Sequence, residues 1–321
     1  DLPGARTWHR SSRAMSHAIG NAFLEGNGLT NEANVDIWGG DPRPAIARLD
    51  TARSLYRRAQ SSTGEETALS ELATAYELTG DLDRAFAALD TALALARQLH
   101  MATQEAEKLR LLAGLHVRIG DYRRAVTYYD DAIARMRATG YEELPSALRG
   151  SAEAHLRLGN LQRARVDAAE ALRADSAAHE RLDELDDLLL LAEIDFRSSG
   201  LAAAEPRLRA AFAIADQLDT RGSRIAAAVA EAHLADQAHN SQRVLRALRR
   251  SRWSSACRAP RLHSSWARHG RSRTRRQRWA SRLPLRSTSS HVAISCRRVT
   301  YCRWRFCVPP RCTRRRSSGS S

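Results

Sequence analysis

The chain has 321 residues, 43% of them hydrophobic, and a formal net charge of +15 from 51 basic and 36 acidic residues. This length is ample for a large buried core, and no stretch is long and apolar enough to cross a membrane as a helix. The charge is uneven: Asp236 is the last acidic residue, residues 237–321 hold 23 arginines, and residues 1–236 are left with 28 basic against 36 acidic residues, which confines any nucleic-acid reading to the C-terminal end.

The chain opens on Asp1 with no secretory leader pattern, so a cytoplasmic setting is expected. Residues 1–29 form an N-terminal segment in which 14–29 read as a leading helix, interrupted by Gly20, Gly26 and Gly28. From residue 30 a period takes over. Gly40-Asp41, Gly80-Asp81, Gly120-Asp121 and Gly159-Asn160 recur, and Ser199-Gly200 and His239-Asn240 continue the series in weaker form. A step of about 40 residues marks a stacked-repeat architecture.

Within one unit, residues 65–79 (EETALSELATAYELT) are apolar at 68, 69, 72, 73, 75, 76 and 78, a helical stripe rather than a strand alternation. Thr63 with Glu66 fits a capping box at its start. Gly80 suits the left-handed residue that ends the helix, and Asp81 is placed to cap the next helix, over 82–99. Each unit therefore reads as helix, Gly-Asp turn, helix, short loop. Pro42, Pro44 and Pro145 fall near predicted helix starts, where proline is tolerated. Pro206 falls later in its helix and predicts a kink.

Small residues recur in columns. Seven positions before the turn stand Ala33, Ala73, Ala113, Ala152, Ala192 and Ala232. Five after it stand Ala45, Ala85, Ala125, Ala164 and Ala204, and twelve after it Ala52, Ala92, Ala132, Ala171 and Ala211. Helices approach closely only where side chains are short, so these columns predict the helix contacts. The pattern fails at Ser251, where a sixth alanine would stand.

The turn and the alanine columns resemble the tetratricopeptide repeat (TPR) superfamily over residues 30–250, about five to six repeats. The resemblance implies an all-α fold, a right-handed α-solenoid. Two features depart from the usual pattern. The unit is longer than the usual repeat of about 34 residues, which places the extra residues in the second helix and its connecting loop. The aromatic slot of the first helix holds Tyr76 but then His116, His155 and Asp195. Long repeats of this kind are similar to those of kinesin light chains. Their style, with the stretch RVLRALRR at 243–250, also resembles the TPR half of bacterial CHAT-domain proteins, in which a caspase-like protease domain follows. The His and Cys motifs of that domain are not in this sequence.

What the resemblance implies is an interaction scaffold that takes a peptide or partner domain in a concave groove lined by the first helices. The columns it points into the groove carry Arg118, Arg157 and Arg197, then Arg110 and Arg149, then Glu153 and Glu193. An arginine ladder would grip the carboxylates of an acidic partner, because guanidinium pairs bidentately with carboxylate. The same residues also read as ordinary i, i+4 ion pairs, Glu153–Arg157 and Glu193–Arg197, on exposed helices. His116 and His155, one repeat apart, read either as a metal pair or as fillers of an aromatic packing slot. No phosphate-cradling loop, helical HExxH or nucleophile elbow is present, so no enzyme activity, catalytic residue, cofactor or metal is expected.

Residues 251–321 obey no repeat and turn to Arg, Ser, Cys and Trp. They hold all five cysteines, and the spacing of Cys296, Cys302, Cys307 and Cys312 lacks the short pairs of a zinc site. Such a segment is expected to be disordered. Two origins remain open. It is a basic tail in which Trp253, Trp266, Trp279 and Trp304 stack on nucleic-acid bases, making the chain a regulator. Otherwise it is the out-of-frame end of a GC-rich gene, in keeping with 50 arginines against a single lysine, Lys108.

Overall fold

A computed structural model describes residues 2–253, and every regular element among the described residues is an α-helix. In chain order they are α1 (Leu2–Ala18), α2 (Ala22–Trp38), α3 (Pro42–Arg58), α4 (Ser62–Thr79), α5 (Leu82–Gln98), α6 (Ala102–Ile119) and α7 (Tyr122–Thr139). They continue with α8 (Leu144–Leu158), α9 (Leu161–Ala178), α10 (Arg181–Ser199), α11 (Leu201–Leu218), α12 (Arg221–Gln237) and α13 (Ser241–Trp253). Each packs chiefly on its neighbours in sequence, the arrangement of an α-solenoid. The segment 254–321, expected to be a disordered tail, lies outside the described residues.

The chain is punctuated twice as often as the Gly-Asp series indicates. A residue with positive φ ends nearly every helix: Gly20, Gly40, Gln60, Gly80, His100, Gly120, Gly140, Gly159, His179, Gly200, Asp219 and His239. At most of these hinges the following N–H reaches back five residues, as from Asp81 to the Tyr76 carbonyl at 2.9 Å and from Met101 to the Ala96 carbonyl at 2.9 Å. That closure satisfies helix carbonyls that would otherwise be orphaned. The next helix is then capped by a side chain at several hinges: Asp81 accepts from the Arg84 N–H at 3.3 Å, and Asp121 from the Arg124 N–H at 3.2 Å.

Several sequence expectations are corrected. The extra residues are not gathered in the second helix, because α4 to α7 have 18, 17, 18 and 18 residues, and the connecting loops are only slightly longer than the turns, residues 99–101 and 140–143 against 80–81 and 120–121. Residues 14–29 are not one helix: Gly20 at φ 68° ends α1, and Asn21 caps α2 by accepting from the Leu24 N–H. The cap of α4 is Ser61, which accepts from the Gly64 N–H at 3.1 Å, and not Thr63. Its expected partner Glu66 is buried elsewhere. Pro206 lies inside α11, as its position in the sequence indicated.

The alanine columns are the contact surfaces. Ala33, Ala73, Ala113, Ala152 and Ala192 are at most 3% exposed, and the ten alanines of the second-helix columns are fully buried. Leucines of the same and facing helices fill the space between them, as in the cluster of Leu69, Leu89, Leu109, Leu112 and Leu115. Two tyrosines take a different route. A Cβ on Gly64 would lie 2.2 Å from the Tyr56 ring, and one on Gly150 would lie 2.2 Å from the Tyr129 hydroxyl. Each ring needs the space that glycine leaves on the following helix.

Candidate functional site

The even-numbered and odd-numbered helices form two layers. Among the described residues, α2 touches α4, α6 touches α8, α8 touches α10 and α10 touches α12, whereas odd-numbered helices meet chiefly their sequence neighbours. In a curved stack the elements on the inside of the bend come closest, so the even-numbered helices make the inner layer. They also carry most of the buried charge: Glu32, Asp36, Glu66, Lys108, Arg149, Asp187, Glu193 and Glu231.

Five residues after the buried alanine of each inner helix from α2 to α12 lies one column, Trp38, Leu78, Arg118, Arg157, Arg197 and Gln237. It runs along the C-terminal ends of the inner helices as a ledge. Trp38 and Leu78 are 53% and 54% exposed, well above what a core position shows. The Arg118 guanidinium donates across the repeat junction to Glu77 on α4 at 3.1 Å. Arg197 donates to Glu193 at 2.8 Å and reaches the Leu156 carbonyl of α8 at 3.4 Å. Arg157 is the least committed of the three, with only a 3.9 Å ion pair to Glu153. The i, i+4 pairs read in the sequence are therefore formed, closely for Glu193–Arg197 and loosely for Glu153–Arg157.

The second arginine column behaves differently. Arg110 is held by Glu107 on its own helix at 2.9 Å and reaches Ser146 of α8 at 3.5 Å. Arg149 is 2% exposed and enclosed by Asp175 of α9 and by Asp183 and Asp187 of α10, the Asp183 contact at 2.7 Å. A guanidinium buried among three carboxylates is closed off from a partner in the groove, which corrects its placement in an open groove. Burial works against the charged form of Arg149, but the hydrogen bond and charge of Asp187, then Asp183 and Asp175, outweigh it and keep the group cationic. Glu193 is also buried, at 4% exposure, and serves as the counterion of Arg197 rather than as a free contact.

Sequence reasoning missed a second buried pair. Lys108 of α6 contacts Glu66 of α4 at 2.6 Å, with both side chains almost wholly enclosed. The signal was available, because the chain's single lysine falls among the apolar positions of α6. The two histidines sit in packing positions. His116 lies between Phe86, at 5.0 Å between ring centres, and Tyr128, at 5.2 Å and nearly parallel. Burial pushes its pKa down, with Asp121 opposing. His155 is likewise lowered by burial and approaches the Asn160 amide at 3.4 Å.

Two layers of short helices, stacked in one direction through alanine seams and left-handed hinges, define an α-solenoid of helical hairpins. Residues 64–138 match the family model of the tetratricopeptide repeat, and the described residues have the fold of TPR-like solenoids. Among solved structures it is similar to the apo form of RapI, with a TM-score of 0.65 and 10% identity over 80% of this chain and 92% of that one. It is also similar to a Rap protein complexed with competence and sporulation factor, with a TM-score of 0.54 and 14% identity over 79% of this chain and 75% of that one. A putative kinesin light chain of Podospora anserina, with nearly identical TPR-like repeats, aligns with a TM-score of 0.51 and 17% identity over 60% of this chain and 95% of that one. No match was found among curated protein sequences.

Proposed function

We propose that the array is an interaction scaffold that holds a segment of a partner protein along the inner-layer ledge. Apolar side chains of the partner rest on Trp38 and Leu78, and its carboxylates meet Arg118, Arg157 and Arg197. The observation that carries this reading is the ledge itself, one column with two exposed large apolar residues followed by three arginines, of which Arg157 is half-buried. Large exposed apolar side chains in register on neighbouring repeats give a partner somewhere to rest its own apolar groups. Glu153 and Glu193 hold Arg157 and Arg197 in place, and Arg110 with Glu107 extends the polar part of the same face. That a Rap protein of similar fold is complexed with competence and sporulation factor supports a ligand-holding array. The sensor half of a CHAT-domain protein would use the ledge in the same way, and the proposal holds for either parentage.

The test is a fluorescent peptide with two leucines followed by three spaced glutamates, titrated into the full chain. Joint charge reversal of Arg118, Arg157 and Arg197 to Glu should weaken binding at least about tenfold, the equivalent of one 1.4 kcal/mol step, with helicity unchanged by circular dichroism. Equal binding by the reversed chain, still helical, removes the ledge as the site.

A further inference from the structure

On the outer layer, α11 and α13 stand apart over α12 and leave a cleft of about 870 Å³. Its floor is apolar, formed by Leu208 and the half-buried Phe212. One side of the floor is braced by Arg243, which donates to Glu231 of α12 at 2.9 Å and pairs with Glu205 of α11 at 2.6 Å. Arg224 is likewise satisfied, by Asp219 at 2.6 Å and Asp216 at 3.3 Å. Each acidic residue lining the cleft is thus engaged by Arg243 or Arg224. Three more arginines line it, Arg209 from α11 and Arg246 and Arg249 from α13, and none has an acidic partner within salt-bridge distance among the described residues.

We infer that this cleft binds an acidic segment of a partner protein that carries an apolar anchor, at a site separate from the ledge. Three guanidiniums without counterions around a greasy floor are complementary to carboxylates flanking an aromatic or aliphatic side chain. Arg246 and Arg249 stand three residues apart on α13, about 4.5 Å of helix rise, and Arg209 lines the cleft from α11, so carboxylates on either side of an anchoring side chain meet arginines from both helices. The volume lies in the range of ordinary ligand sites. The chain's own C-terminal sequence does not supply the occupant, because residues 237–321 contain 23 arginines and no Asp or Glu. This inference is independent of the ledge and stands or falls on other residues.

The probe is a fluorescein-labelled peptide, Glu-Phe-Glu flanked by Gly and Ser, titrated into the full chain at near-physiological salt. Joint substitution R209Q, R246Q and R249Q should weaken binding at least about tenfold, and charge reversal at the ledge should leave it unchanged. Replacing the Phe by Ala in the peptide should weaken binding several-fold, and replacing both Glu by Gln should abolish it. A benzophenone in place of the Phe should crosslink to α11 or α13. Four outcomes overturn the proposal: equal binding by the triple Gln chain, crosslinks confined to residues 254–321 or to the inner helices, equal affinity for the peptide without its Phe together with full competition by tripolyphosphate, or arginine-dependent self-association detected by sedimentation in place of peptide binding. The Gln variants remove charge from exposed positions, so circular dichroism should show an intact array, and the peptide substitutions test the same site without altering the protein.

Discussion

Two junctions of the inner layer are fastened from the same column with opposite charge. Lys108 of α6 and Asp187 of α10 each stand five residues before the buried alanine of their helix, and each reaches back to the preceding inner helix. Lys108 meets Glu66 at 2.6 Å, one cation with one anion. Asp187 meets Arg149, but Asp175 and Asp183 share the same guanidinium, and one Asp187 oxygen has no hydrogen-bond partner. Repeat geometry thus dictates where a buried group sits and leaves its charge open. The stoichiometry decides the rest. The first junction is a direct pair with Glu71 also within reach of the Lys108 charge, whereas the second holds three carboxylates on one arginine. Burial raises the Asp187 carboxyl to about 7, with Arg149 opposing and Asp175 adding to the rise.

The comparison is broken most forcefully at Arg149. Arg149→Met removes the only cation among three carboxylates, and urea denaturation should show a loss of about 3–5 kcal/mol, the cost of leaving buried charge uncompensated. A loss below 1 kcal/mol would mean that the cluster is open to water. Next comes the hinge that follows α10. Gly200 adopts φ 82° and ψ −175°, a region that residues with a Cβ scarcely enter, whereas Gly80 at φ 83° and ψ 8° is left-handed helical. Gly200→Ala should cost about 1–3 kcal/mol and more than Gly80→Ala, compared by the same denaturation. Equal costs would show that the Asp187-bearing helix does not depend on its hinge.

The pH response separates the two junctions directly. The Asp187 carboxyl is raised from the ordinary 3.8 to about 7, so the folded chain keeps a proton that the unfolded chain releases between those values. Stability from this group is fully present below about pH 4 and is lost as pH rises toward 7. Asp187→Asn should flatten that slope between pH 5 and 7.5, and an unchanged slope would assign the effect to other groups. The smallest effect is expected at the Lys108–Glu66 junction. Glu66→Leu with Lys108→Met should stay within about 1 kcal/mol of the parent, because a buried pair replaced as a unit by apolar groups is close to neutral. Either single change should be far worse, and a double variant as poor as the singles would contradict the pairing.

Much of the fold was legible in the sequence because its determinants repeat in register. The alanine columns predicted the helix seams, and Gly80, Asp81 and Asp121 predicted their hinges and caps. The other hinges were hidden because Gln60, His100, His179 and Asp219 take left-handed φ without being glycine. That doubled punctuation is what makes the two helices of a repeat equal in length. At the candidate site, register identified the column of Arg118, Arg157 and Arg197. It did not reveal that Trp38 and Leu78 belong to the same column, because their chemistry differs while their position does not. Arg149 was misplaced because its partners lie 26 to 38 residues ahead, on two other helices. The outer cleft needs three helices at once, and no spacing in one segment announces it.

On the reading proposed above, the inner-layer ledge receives a partner segment. Hydrogen exchange of the full chain, with and without the leucine-glutamate peptide at saturation, tests it most directly. The account predicts added protection at the C-terminal turns of α4, α6, α8 and α10, around Leu78, Arg118, Arg157 and Arg197, with the outer helices unchanged. Protection confined to odd-numbered helices, or none at saturating peptide, would contradict it.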